Sequence, residues 1–89
     1  MKDRFKLVEV NFAYGENIDL FFIDSKTGTW YLAYVSNAGI LHDIVDYTNG
    51  LAGKGINPEI KTTIRLKIKS ISLEDIKNRK IEGVYYRDC

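Results

Sequence analysis

An α+β sandwich is the fold class this sequence predicts, from two observations of patterning and one of punctuation. Runs of β-branched and aromatic residues with strand-like spacing fill the first 36 positions, helical spacing enters only after them, and glycine or polar clusters separate the runs. The predicted order is β-β-β-α-β-α-β, an antiparallel β-meander with a helix packed on one face. Eighty-nine residues make a single small domain, 1–89, with chain enough for one modest core.

Each element has its own reason. "RFKLVEVNF" predicts a strand over residues 5–12, with Val8, Val10 and Phe12 on one side. "AYGEN" reads as a turn, and "IDLFFID" as a second strand over 17–24. "SKTG" is a hairpin loop in which Gly28 can take the left-handed position. "TWYLAYV" is the third strand, 29–36. From "NAGILHDIVDYTNG" onward Ile40, Leu41, Ile44, Val45 and Thr48 recur at helical spacing, which predicts a helix near 39–50. Asn37 is its expected N-cap, and Gly50 or Gly53 its stop. "IKTTIRLKIK" alternates strictly: Ile60, Thr62, Ile64, Leu66 and Ile68 on one side, Lys61, Thr63, Arg65, Lys67 and Lys69 on the other. That pattern predicts a half-buried strand over 60–69. Ser72, with Asp75 three residues later, opens a short helix, and "GVYY" closes the chain as a last strand.

The first hairpin decides which aromatic rings are core. A G1-type loop sets even positions opposite even ones, so Ile18, Leu20 and Phe22 share a face with Trp30, Leu32 and Tyr34. A four-residue loop without a bulge shifts that parity. On the first pairing Trp30 is core, while Phe21 and Tyr31 stand on a face with no second layer.

The catalytic inventory is thin. Nucleophilic catalysis needs a nucleophile, a base and an orienting group, yet His42 is the one histidine and Cys89 the one cysteine. His42 with Asp46 supplies two metal ligands and no third. Glu74 and Asp75 lie in a first helical turn, where the helix dipole accounts for them. "NGLAGKGIN" follows a helical pattern and precedes a strand pattern, the reverse of a phosphate-binding loop. No catalytic residue, metal or cofactor is expected, and the chain is not expected to be an enzyme.

Charge is unevenly spread. Residues 1–53 carry four basic and seven acidic side chains, net −3; residues 54–80 carry eight basic and three acidic, net +5. Lys61, Arg65, Lys67 and Lys69 would line one side of the 60–69 strand at about 6.6–6.8 Å per two residues. Such a stripe suits a nucleic-acid backbone or an acidic protein, and equally protects a sheet edge. Tyr85 and Tyr86 could add stacking rings beside it. No run approaches the roughly 20 apolar residues of a membrane helix. The amino end has no apolar signal region, and a single cysteine suits a reducing, cytoplasmic home.

The functional expectation is a small non-enzymatic protein-interaction module. It would be a regulator or inhibitor acting by surface occupancy, of the kind phages and mobile elements encode. Its expected contact residues are Lys61, Arg65, Lys67, Lys69, Phe21, Tyr31, Tyr85 and Tyr86. The alternative is a nucleic-acid-binding domain using the basic face of strand 60–69. A homodimer burying the Phe21/Tyr31 face is a further expectation.

Overall fold

Strand propensity and turn chemistry agree over the first third of the chain, and there the computed structural model follows the pattern. It describes residues 3–12, 17–52 and 55–88. The chain runs β1 (Phe5–Phe12), β2 (Asn17–Asp24), β3 (Trp30–Ser36), β4 (Leu41–Asp46), β5 (Leu51–Ala52), α1 (Pro58–Ser70), α2 (Leu73–Lys77) and β6 (Tyr85–Asp88). One six-stranded sheet has the order β5-β4-β3-β2-β1-β6. All neighbours are antiparallel except β6, which joins the far side of β1 in parallel. The α+β class, the opening meander, the second helix and the last strand are as expected. The "AYGEN" turn, except for Asn17, the Gly53 stop and Cys89 lie outside the described residues.

Two middle elements are exchanged. The segment near 39–50 is a strand and a turn, not a helix. Ser36 N–H donates to Ile40 O at 2.8 Å and Gly39 N–H to Ser36 O at 2.9 Å, which folds β4 straight back onto β3. Gly39 sits at φ 88°, a conformation a side chain would resist. The Ser36 hydroxyl accepts from the amides of Ala38 and Ile40, so "SNAG" is a hairpin turn and Asn37 caps nothing. At the other end the Asp46 carboxylate accepts from Asn49 N–H (2.9 Å) and Asn49 Nδ2 (2.8 Å), which organises the turn into β5.

Residues 60–69 are helical, not a strand. Asn57 Oδ1 accepts from Glu59 N–H at 2.8 Å, and Pro58 takes the first helical turn, where its missing N–H costs nothing. Lys67 and Lys69 lie in the last turn, toward the negative end of the dipole. Alternation over ten residues also contains an i, i+4, i+8 stripe, here Ile60, Ile64 and Ile68. That stripe packs on the core, with Ile64 fully buried. Leu66, on the apolar side of the expected strand, is 61% exposed. The helix after it begins as the sequence indicates: Ser72 Oγ accepts from Asp75 N–H at 3.3 Å, and Ile76 is buried.

Hairpin geometry corrects the expected faces of β2 and β3. Gly28 N–H donates to Asp24 O (2.7 Å) and Asp24 N–H to Thr29 O (2.8 Å), so residues 25–28 form a four-residue loop. Even positions of β2 then face odd positions of β3: Ile18 with Val35, Leu20 with Ala33, Phe22 with Tyr31. Tyr31, at 5% exposure, is core, and Trp30 is not in the core cluster. Val10, Leu20, Phe22, Ala33 and Ile44 form the centre of that core under Ile64 and Ile76.

The core face also holds a charge. Asp24 is fully buried and receives the Arg4 fork, Nε at 2.9 Å and Nη2 at 2.7 Å, plus Lys26 N–H at 2.9 Å. The Arg4 bonds and the Lys26 amide outweigh burial and hold the carboxyl below its ordinary range. Burial raises the Tyr31 hydroxyl, helped by nearby Asp46 and Asp24.

Candidate interaction surface

Because α1 and α2 both pack on one side of the sheet, the other side has no helical layer among the described residues. Strand register builds that open side in rows. Val45, Leu32, Phe21, Glu9 and Tyr85 stand abreast across five strands, and Asp43, Tyr34, Asp19, Asn11 and Arg87 form the next row. Trp30 pairs with Ile23 on the row before. Tyr47, just past β4, donates its amide to Trp30 O at 2.8 Å, which brings its ring to the same end.

The rings meet each other. Phe21 lies edge-on to Trp30 (centroids 6.2 Å apart, 64°) and to Tyr47 (5.4 Å, 88°). Edge-to-face pairs of this kind add to area burial. Phe21 and Tyr47 approach from opposite sides of β3, and Leu32 between them is only 4% exposed with no helix among the described residues packed above it. Tyr47 itself is 61% exposed and Tyr85 62%. The result is a ring cluster held in place on one side and open to solvent on the other.

Charges border the cluster. Arg87 Nη1 contacts Glu9 Oε2 at 3.3 Å. Asp19 has no salt bridge among the described residues, and burial raises its carboxyl above the ordinary range. Among the described residues, this acid between Tyr34 and Asn11 makes no ion pair.

The expected contact residues divide between the two sides. Phe21 and Tyr85 are on the open face. Tyr31 is buried under the helices, and Tyr86 is half-buried, stacked on Phe12 with centroids 6.2 Å apart and accepting from Ile81 N–H. Lys61, Arg65, Lys67 and Lys69 are carried by α1, on the opposite side of the sheet from the rings. Lys67 pairs with Asp3. Trp30, Tyr34, Tyr47 and Asp19 were not among the expected contacts; the four-residue loop parity places the first two, alternation along β2 sets Asp19 on the face of Phe21, and reading β4 as a strand places Tyr47.

His42 and Asp46 share a strand and do not converge, and among the described residues no group of three His, Cys, Asp or Glu is placed to hold a metal. No helix among them is long and apolar enough to cross a membrane. In comparisons with known proteins, no family model, curated protein or solved structure matches the chain. The site stands on its geometry.

Proposed function

We propose that this chain is a small non-enzymatic interaction module that regulates or inhibits a larger protein by occupying part of its surface. The open ring cluster of Phe21, Trp30 and Tyr47, flanked by Tyr34 and Tyr85, carries the reading. Trp and Tyr are enriched at protein interfaces because they bury much area with few rotamers to freeze. Asp19 favours a partner that brings a Lys or Arg to the middle of the patch. A single cysteine in 89 residues supports a cytoplasmic setting.

A nucleic-acid reading keeps one observation in its favour: α1 sets Lys61, Arg65 and Lys69 at i, i+4 spacing along one side. Single-strand binding combines cations with stacking rings on one surface. Here the open rings and the helix cations are separated by the sheet, which favours the protein partner.

Pull-down from the source host, with and without nuclease, tests the choice. A protein captured by the wild-type chain after nuclease, and lost with Tyr34→Ser/Tyr47→Ser, is the expected result. Capture that vanishes with nuclease, or that persists in the double variant, overturns the reading. The double variant should keep the wild-type circular dichroism spectrum, since both rings are solvent-exposed.

A further inference from the structure

A second feature lies on the other side of the sheet and is independent of the ring cluster. Between the sheet, the β3–β4 turn and the junction of α1 with α2 is a partly enclosed cavity of about 220 Å³. Leu20 and Val35 form its floor, Ile68, Leu73 and Ile76 its helical wall, and Lys69 is the one residue in the lining with a polar side chain. The floor residues keep almost no exposed surface, so the space ends on the packed core.

We infer that this cavity binds a small apolar carboxylate: a short acyl chain or a single ring that ends in a carboxyl group. The volume sets the size, because an apolar cavity of roughly 150 Å³ takes benzene, and this one is larger by a short chain. The lining sets the buried part. With no polar side chain inside, a buried polar group on the ligand would lose water without gaining a side-chain partner. Lys69 sets the charge at the mouth. It is exposed although it borders the cavity, so its stem lines the wall while its ammonium stays in water. Among the described residues Lys69 makes no salt bridge, which leaves that ammonium for a ligand.

Methyl NMR on the full chain, titrated with octanoate, tests this directly. Saturable shifts confined to the methyl groups of Leu20, Ile68, Leu73 and Ile76 are expected, with octanoate binding more tightly than octylamine. Lys69→Met should weaken octanoate by roughly two- to fivefold, as an exposed ion pair would, and leave octan-1-ol unchanged. Ala38, exposed in the turn at the mouth, offers a variant that leaves the core intact. Ala38→Phe should block octanoate and octanol alike while the remaining spectrum stays folded. No saturable shift at millimolar octanoate overturns the inference, as does equal binding of octylamine. Preferential binding of a peptide ending in leucine over octanoate would likewise overturn it, by assigning the cavity to a chain terminus. Shifts centred on Trp30 and Tyr47 would place the ligand on the open face instead.

Discussion

Phe21 and Phe22 are neighbours in β2 with the same side chain and opposite surroundings. Phe22 has no exposed surface and lies beneath the helices, whereas Phe21 is half-buried on the open face against the rings of Trp30 and Tyr47. The two carboxylates of the strand repeat the contrast. Asp24, on the helical side, is buried with the Arg4 fork and is held acidic; Asp19, on the open side, is partly buried with no ion pair among the described residues and is pushed the other way. One face satisfies its groups internally. The other leaves rings and an acid open to solvent, and this difference is the physical basis for the proposed interaction surface.

Truncation should separate the two faces most sharply at the phenylalanines. Phe22→Ala should cost about 3–5 kcal/mol in denaturant unfolding, with Phe21→Ala nearer 1 kcal/mol, because only the first leaves a closed cavity. Equal losses would erase the distinction between faces. The adjacent pair in β3 should behave alike: Tyr31→Ala severely destabilising, Trp30→Ala much less so and felt mainly in partner binding.

Arg4→Met should come next, lowering stability at neutral pH by less than Phe22→Ala does, because Asp24 would remain buried without its cation while solvent around the half-exposed guanidinium already weakens the pair. The sign with pH follows from the lowered carboxyl. The pair's contribution is complete above the unfolded pKa, about 4, and is lost as pH falls through the lower folded value. The wild-type and Arg4→Met unfolding curves should therefore converge in acid. A difference that persists to the lowest pH would mean that Arg4 acts by packing on Phe5 instead.

Within α1, Ile64→Ala should cost about 2–5 kcal/mol and Leu66→Ala less than about 0.5 kcal/mol. Comparable losses would restore the strand that alternation suggests. The smallest effect is expected at Asp19. Its carboxyl is raised, so the charged form weakens folding at neutral pH and the penalty is relieved as pH falls through the raised value. Asp19→Asn should raise the melting temperature slightly at pH 7, by an amount that shrinks toward pH 4, while weakening capture of the partner. A drop in melting temperature at pH 7 would show that Asp19 already has a favourable neighbour.

Local chemistry was legible wherever pattern and punctuation coincide. Residues 5–36 show alternating or continuous strand runs with loop residues between them, and Ser72 with Asp75 starts a helix as read. The exchanged segments are those where two periods fit one sequence. Ile60, Ile64 and Ile68 satisfy period two and period four at once, and Asn57-Pro58-Glu59 was the local signal that decides for the helix. In 39–50, the turn from Ser36 to Gly39 decides for a strand, where Asn37 alone looks like a helix cap.

From its own residues, then, the chain determined an α+β class, an opening meander, an aromatic excess and a cationic segment after residue 54. Tertiary structure decided which rings face out. A strand's period is two, so the length of one loop turns every side chain of β3 to the other face, and loop closure is settled by hydrogen bonds between residues 24 and 29. It also decided that the cations and the open rings lie on opposite sides of the sheet. Their separation depends on 60–69 burying its isoleucines as a helix over the core, a choice that only the packed sheet beneath it resolves.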